Sequence, residues 1–105
     1  MHPSSTKVSI IVVNWNGEKF LQECLKALLS QTLKPLEIIL VDNASTDGSL
    51  SLLRQFPALR IIALDYNAGF AKANNLAIAA ASPESEWIGL VNPDAFVEPN
   101  WLEAI

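Results

Sequence analysis

One stretch, residues 36–49 with the sequence LEIILVDNASTDGS, constrains the fold of this chain more than any other. Its first six residues are apolar except for Glu37, and from Asp42 onward the residues are polar and turn-forming. A short apolar run that ends in such a cluster is typical of a strand buried on both faces of a parallel sheet. Residues 45–47 (Ser-Thr-Asp) are of the types that cap helices, and leucines follow them. The stretch therefore predicts a strand, a tight loop and a helix, with Asp42 at the carboxyl end of the strand.

The same alternation of strand and helix recurs along the whole sequence. Strands are predicted over residues 7–13, 36–41, 60–64 and 87–91, and helices over 18–31, from about 50 to Pro57, over 70–81 and from about 99. Right-handed crossovers in a β-α-β-α-β-α-β order predict an α/β fold with a Rossmann-like, doubly wound parallel sheet. In such a sheet the loops at 14–16, 42–47, 65–67 and 92–94 share one edge, here called the rim, at the carboxyl ends of the strands.

Composition limits the kinds of ligand that this rim can bind. The chain has 105 residues, half of them apolar and 17% charged, as expected for one globular domain or a piece of one. Its formal net charge is −4 and its lysines and arginines form no cluster, which argues against nucleic acid as a partner. A phosphate ester bound here would need a recruited positive charge, and a divalent cation is the simplest source.

The start of the chain and its single cysteine give further expectations. Residues 1–6 are predicted to be a disordered leader, and no apolar run reaches the length of a signal peptide core or a membrane span. A cytoplasmic location is the expectation that follows. Cys24 lies in the apolar pattern of the first helix, so it is expected to pack in the core rather than to act as a nucleophile.

Asn92-Pro93-Asp94 is the sharpest local signal on the rim. If the backbone stays extended, residues two apart point the same way, and Asn92 and Asp94 could bind one ion together. Pro93 favours an extended conformation for the residue before it. Carboxylate and amide oxygens suit Mg²⁺ or Mn²⁺, which take few protein ligands and complete their shells with water and phosphate oxygens. The other interpretation is a simple turn before a helix, which the tripeptide on its own favours.

Polar residues after the first two strands also have more than one interpretation. Asp42 could accept a hydrogen bond from a nucleobase or a ribose, or it could form an Asx turn that leads into the second helix. Asn16 is a natural cap for the first helix, and Ser45 and Asp47 are predicted caps for the second.

The third strand and helix contribute weaker signals. Asn67 and Gly69 are expected to form a turn with positive φ. Asparagine is unfavourable in the middle of a helix, so one of the adjacent pair Asn74 and Asn75 is expected to make a specific contact.

Four blocks of sequence together resemble one known family. In order, they are VSIIVVNWNGEKFLQECLKALLSQT, LEIILVDNASTDGS, NAGFAKANNLAI and IGLVNPDAF. They resemble the nucleotide-binding half of a family 2 glycosyltransferase with the GT-A fold, and the resemblance spans residues 8–105. It implies that residues 7–105 are the nucleotide-sugar-binding half of a GT-A domain, truncated at its carboxyl end. The implied reaction is transfer of a sugar from a nucleoside diphosphate to an acceptor hydroxyl, with inversion.

The resemblance also implies roles for particular residues. Asp94 would bind Mg²⁺ or Mn²⁺ together with Asn92, and the ion would neutralise the diphosphate leaving group. Many members of the family have aspartate at the position of Asn92, so weaker metal affinity is expected here. The residues implied to bind the donor are Val13, Asn14, Asn16, Asp42, Asn67, Gly69, Asn75 and Asn92.

The Asn-Pro-Asp form resembles the rhamnosyltransferase-like branch of the family, which implies a dTDP-sugar donor, with a UDP-sugar as the alternative. The acceptor would be a saccharide or a lipid-linked molecule, and a full-length protein could associate with a membrane. The carboxylate base that deprotonates the acceptor is expected beyond Ile105. The 105-residue chain by itself is therefore expected to bind donor weakly without catalysing transfer.

Two other functions remain open at this stage. A receiver-type signalling module also repeats strands and helices and would use Asp65, but it needs a fifth strand and a partner lysine that this chain lacks. A catalytically silent α/β nucleotide-binding or interaction module would keep the fold without turnover. If the fourth strand lies beside the first, as in the resembling fold, its open apolar edge predicts a homodimer.

Overall fold

The computed structural model describes residues 6–104 and is built around a four-stranded parallel sheet in the order β3-β2-β1-β4. The strands are β1 (Val8–Asn14), β2 (Glu37–Asn43), β3 (Arg60–Leu64) and β4 (Trp87–Val91). The helices are α1 (Glu18–Leu29), α2 (Ser49–Leu53), α3 (Phe70–Ala80) and α4 (Trp101–Ala104). The predicted α/β class and element order are confirmed. Among residues 6–104, no helix has both the length and the apolar character that crossing a lipid bilayer requires.

Both faces of the two central strands are buried, which explains why their sequences are continuous apolar runs rather than alternating ones. Successive side chains of a strand point to opposite faces, so each strand contributes to two clusters. The cluster on the α1 side includes Ile10, Val12, Ile38, Leu40 and Val91. The cluster on the α3 side includes Ile11, Val13, Ile39 and Val41.

Helices α1 and α3 pack against opposite faces of the sheet. Helix α1 buries Leu21, Cys24, Leu25 and Leu28, which recur at helical spacing on one face. Cys24 is fully buried, as predicted for a packing residue. Helix α3 contacts the other face through Ala73 and Ala77, and these small side chains allow the helix to lie close to the sheet.

Several boundaries differ from the sequence prediction by one residue or more. Strand β2 continues through Asp42 and Asn43, because the parallel register pairs these residues with Ala63 and Leu64 of β3. Backbone pairing is indifferent to the polarity of the side chain, so polarity marked the end of the strand too early. Helix α1 ends at Leu29, two residues before the predicted end, and α2 is only five residues long.

The predicted disordered leader is described only at its last residue. Residues 1–5 lie outside the described residues. Thr6 is attached to the connection between α1 and β2, because its N–H donates to the carbonyl oxygen of Lys34 at 2.8 Å.

Glu37 connects several elements at the amino ends of the strands. Its Oε2 accepts from the Ser9 hydroxyl and from the N–H of Ser82, each at 2.7 Å, and its Oε1 lies 2.6 Å from Arg60. Burial by itself raises the pKa of the Glu37 carboxyl, but these hydrogen bonds and the charge of Arg60 outweigh that effect. The pKa of Glu37 therefore lies below its ordinary value of 4.5.

This arrangement makes Glu37 a pH-dependent contributor to stability. A carboxyl whose pKa is lowered by folding stabilises the fold above its unfolded-state pKa, and that contribution is lost as pH falls through the folded-state pKa. Glu37→Gln is expected to lower the free energy of unfolding by about 1–3 kcal/mol at neutral pH, because the amide keeps only one acceptor oxygen. Urea unfolding should show this difference shrinking below pH 4.5. Glu23→Gln on the exposed side of α1 is the control. A loss for Glu37→Gln that is as large at low pH as at neutral pH would contradict the assignment.

Candidate functional site

The ends of β1 and β2 are joined by a buried polar pair. Asn14 and Asp42 are partners in the parallel register, and both side chains are completely buried. The Asn14 Nδ2 donates to the Asp42 Oδ1 at 2.9 Å. Within the described residues the Asn14 Oδ1 has no hydrogen-bond partner, although it is also buried. The rim is therefore supported by a polar contact in the interior of the protein, beneath its surface.

Asp42 uses both carboxylate oxygens within its own loop. Its Oδ2 accepts from the N–H of Ser45 at 2.9 Å, and its Oδ1 accepts from the Ser45 hydroxyl at 2.7 Å. This is the turn interpretation of Asp42, which the sequence left open beside nucleotide binding. The buried carboxylate holds the loop after β2 in shape. A contact between Asp42 and a base or ribose stays a prediction.

Asn16 does not cap α1, so that prediction is wrong. The residue at the N-cap is Gly17, which has no side chain with which to make a capping hydrogen bond. Asn16 adopts a φ of 50°, a left-handed conformation that asparagine tolerates better than most residues. Its Oδ1 accepts from the N–H groups of Thr46 and Asp47 at 2.7 and 3.2 Å. Asn16 therefore ties the loop after β1 to the loop after β2.

The amino ends of α1 and α2 exchange hydrogen bonds through two acidic residues. The Asp47 Oδ2 accepts from the N–H of Glu18 at 3.1 Å, and the Glu18 Oε1 accepts from the N–H of Gly48 at 2.9 Å. The Asp47 Oδ1 also accepts from the N–H of Ser49 at 2.9 Å, although the N-cap position belongs to Gly48. The first N–H groups of a helix lack intrahelical partners and favour negative charge, which explains why acidic residues lie here.

Asn43 organises the loop before α3, a role that was not predicted from the sequence. Its Oδ1 accepts from the N–H of Ala68 at 3.0 Å, and its Nδ2 donates to the carbonyl oxygen of Gly69 at 3.3 Å. The sequence feature that could have revealed this role is the position of Asn43 directly after Asp42. Adjacent residues of a strand point to opposite faces of the sheet. Asp42 therefore serves the α1 side of the sheet and Asn43 serves the α3 side.

The predicted residues around α3 are only partly brought together. The Asn67 Oδ1 accepts from the N–H of Gly69 at 2.9 Å, and Gly69 has the expected positive φ of 84°. Between residues 6 and 104 the non-glycine residues with positive φ are Asn16 and Ala44, so Asn67 does not share that conformation. Of the two adjacent asparagines, Asn74 is the buried one and donates to Phe70 at 3.1 Å, whereas Asn75 is exposed.

Asn92, Pro93 and Asp94 form a turn, so the predicted extended backbone, with the Asn92 and Asp94 side chains aligned by strand alternation, is wrong. The N–H of Ala95 donates to the carbonyl oxygen of Asn92 at 3.0 Å, which closes the turn over residues 92–95. β4 ends at Val91, its last residue paired with β1, and the backbone turns directly after it. The side chains of Asn92 and Asp94 are exposed.

Cys24 of α1 lies directly beneath this turn. Its Sγ is 3.7 Å from the carbonyl oxygen of Asn92. Burial, together with the negative charge of Asp94, raises the pKa of the Cys24 thiol from 9.0 to about 11. The thiol is therefore protonated near neutral pH and can donate a weak hydrogen bond to the turn.

The donor atoms of this turn suit a hard divalent cation. Asn92 and Asp94 offer an amide and a carboxylate oxygen on an exposed surface. Nowhere in residues 6–104 do three side chains of the His, Cys, Asp and Glu types come together as a metal-binding group. A cation here would therefore have to obtain most of its ligands from water and a bound substrate, which is the usual situation for Mg²⁺ with phosphates.

Gly17 is the point at which the loops after β1 and β4 meet. A Cβ on Gly17 would overlap the Asn14 Oδ1 and would lie 3.5 Å from the Pro93 Cβ. Since Asn14 in turn bonds Asp42, the ends of β1, β2 and β4 converge within a few contacts.

Gly17→Ala should therefore disturb this convergence. The new methyl group displaces the Asn14 amide from Asp42, and the expected loss is about 1–3 kcal/mol in the free energy of unfolding. Urea unfolding measures the loss, with Gly89→Ala as control because the nearest atom to its added Cβ would be 3.8 Å away. Equal stability of the two variants would contradict the tight contact at Gly17.

Comparison with known proteins identifies the family. The sequence profile described as "Glycosyl transferase family 2" matches residues 9–105. A glycosyltransferase of Haemophilus influenzae, described as uncharacterized, is 32% identical over 93% of this chain and 31% of its own length. Glycosyltransferase GlyG of Streptococcus pneumoniae is 34% identical over 96% of this chain and 34% of its own length. The chain thus spans about a third of the length of these curated relatives.

Solved structures agree with the sequence comparison. TarS 1-349 of S. aureus in complex with UDP-GlcNAc has a TM-score of 0.85 and 28% identity, covering 94% of this chain and 30% of its own. Mannosyltransferase PcManGT of Pyrobaculum calidifontis, in complex with GDP-Man and Mn²⁺, has a TM-score of 0.74 and 29% identity, covering 86% of this chain and 28% of its own. The parallel sheet, the converging rim and the family match lead to one conclusion: the chain belongs to family 2 of the glycosyltransferases, enzymes with the GT-A fold.

Proposed function

We propose that this chain binds the nucleoside diphosphate of a sugar donor on its rim, for transfer of the sugar to an acceptor hydroxyl with inversion. The observation that carries the proposal is the convergence at Gly17, which brings together the ends of β1, β2 and β4. In open parallel sheets, ligands bind outside the carboxyl ends of the strands. Relatives that were solved with UDP-GlcNAc and with GDP-Man support a nucleotide sugar as the ligand.

A divalent cation, Mg²⁺ or Mn²⁺, completes this site in the proposal. The rim carries carboxylates and amides, and the chain has a net charge of −4, so a diphosphate needs a positive charge between it and the protein. Asp94 and Asn92 are the proposed ligands, because both are exposed on the turn that follows β4. A mannosyltransferase neighbour solved with Mn²⁺ supports this choice. The bound cation would stabilise the negative charge of the departing diphosphate.

The remaining parts of the proposal concern the donor, the acceptor and the base. The donor is a dTDP-sugar in the rhamnosyltransferase-like interpretation of Asn-Pro-Asp, with a UDP-sugar as the alternative. The acceptor is a saccharide or a lipid-linked molecule. The general base is a carboxylate, and residues 7–105 supply donor binding. A cytoplasmic location, with membrane association of a longer form, stays a prediction.

Nucleotide titrations test the metal assignment. Mn²⁺ is expected to strengthen UDP or dTDP binding to the wild-type chain, measured by calorimetry and by tryptophan fluorescence. Asp94→Asn should weaken the Mn²⁺-dependent part by at least the roughly tenfold that loss of an outer-shell partner costs a metal site. Asp65→Asn at the end of β3 is the matched control, since Asp65 is exposed and outside the proposed site.

Nucleotide titration and acetyl phosphate labelling distinguish the proposed function from two other functions. A catalytically silent interaction module would give no nucleotide response in this chain or in a longer one. A receiver-type module would instead be labelled by acetyl phosphate at Asp65, and we expect no label. Binding that is equally strong with Asp94→Asn would remove Asp94 from the metal site.

We also propose that two copies of this chain pair along β4. This strand has a partner only on its β1 side among the described residues, and it exposes 70% of Trp87 and 53% of Leu90. A cleft of about 990 Å³ runs beside it and is lined partly by Trp87, Ile88 and Leu102. An apolar strand with free backbone groups is a template for another strand, and a two-fold axis would place the two β4 strands side by side.

Sedimentation velocity at increasing concentration tests the dimer. Leu90→Lys should shift the chain to monomer, because charge on an edge strand opposes pairing. Leu76→Lys on the exposed side of α3 changes the same residue type away from the edge, and it should leave the dimer intact. A wild-type chain that stays monomeric at the highest concentrations would contradict the proposal.

A further inference from the structure

Gln31 is a buried polar residue that the proposed site does not use. It lies two residues after α1, and only 4% of its surface is exposed. Its Nε2 donates to the carbonyl oxygens of Ala27 and Glu98 at 3.1 and 2.8 Å, and its Oε1 accepts from the N–H of Leu102 at 2.9 Å. Both amide donors and the amide acceptor are therefore used. Two of the three bonds hold the chain that follows the proposed metal-binding turn.

The neighbouring residue strengthens this attachment. The N–H of Thr32 donates to the carbonyl oxygen of Pro99 at 2.8 Å, and its hydroxyl donates to Glu103 at 2.8 Å. Leu102 is itself only 3% exposed, and Trp101 before it packs against the cluster on the α1 side. Gln31 and Thr32 thus hold residues 98–103 against the end of α1.

Very little chain separates this attachment from the turn. Ala95 closes the turn, and only Phe96 and Val97 lie between it and Glu98. Ala95 and Val97 pack partly against the core, so the intervening segment is not free to move independently. The turn is held at its other end by β4 and by the Cys24 contact with Asn92. Its position is consequently set from both sides by groups on or next to α1.

We propose that Gln31 is a positioning residue for the metal-binding turn. By holding the chain on which Asp94 sits, it keeps the carboxylate where a cation shared with the diphosphate must bind. This inference rests on the proposed function and adds a determinant at the far end of α1 from Gly17. Groups that orient metal ligands without touching the metal commonly tune metal affinity.

Gln31→Glu is the sharpest variant, because it keeps the shape but replaces the Nε2 donor with a charged oxygen facing two carbonyl groups. We expect the Mn²⁺-dependent component of UDP binding to weaken about tenfold. UDP binding without metal should be unchanged, because it depends on the loops after β1 and β2. Gln22→Glu is the matched control, as Gln22 is exposed on the same helix. A purely structural role would lower both components together.

A second measurement needs no variant. Coupling between the turn and Gln31 is reciprocal, so ligand bound at the turn must stabilise the Gln31 contacts. Hydrogen exchange of the Leu102 N–H, which donates to Gln31, should slow when Mn²⁺ and UDP are added together and not when either is added alone.

The outcomes distinguish this inference from the proposed function. If the wild-type chain binds neither UDP nor dTDP in the presence of Mn²⁺, both proposals fail. If it binds Mn²⁺-UDP but Leu102 exchange does not change, the positioning role of Gln31 fails while the proposed function stands. A folded Gln31→Glu variant with wild-type Mn²⁺ dependence would likewise contradict the positioning role and leave the proposed function intact.

Discussion

The hydrogen bond between Asn14 and Asp42 is the contact on which the rest of the rim depends. It joins two central strands at their carboxyl ends, in a region where neither side chain reaches solvent. A slip of one residue in the β1–β2 register would place the two side chains on opposite faces of the sheet and bury them without each other as partners. The apolar alternation of the strands and this polar pair therefore specify the same register. The loops after both strands are arranged outward from it.

The rim combines a preorganised interior with an exposed outer surface. Asn16, Asp47 and Glu18 satisfy backbone N–H groups across the first two loops, so these loops hold each other in place before any ligand arrives. Asn92 and Asp94 instead keep their side chains exposed. Such a division suits a site in which the protein provides the shape and a cation provides the charge.

Helix α1 is the element that relates these parts to one another. Its amino end exchanges hydrogen bonds with the loop before α2, Cys24 in its middle lies beneath Asn92, and Gln31 just past its end holds the chain at Glu98. The same helix buries four side chains against the sheet. The packing of α1 in the core therefore also sets the positions of the rim loops that it contacts. Substitutions in the helix that leave the core intact can still alter the site.

The sequence by itself determined the fold class, the order of the elements and the edge of the sheet at which polar residues gather, because these follow from apolar periodicity and from the chirality of crossovers. It also determined the family, through four motifs in order. Only the tertiary structure decided that Asp42 is buried, that residues 92–95 form a turn, that Asn16 bridges two loops rather than caps α1, and that Asn43 belongs to the rim. The roles of Asn16 and Asn43 depend on hydrogen-bond partners that lie 25 or more residues away in the chain. Local sequence carries no information about such partners.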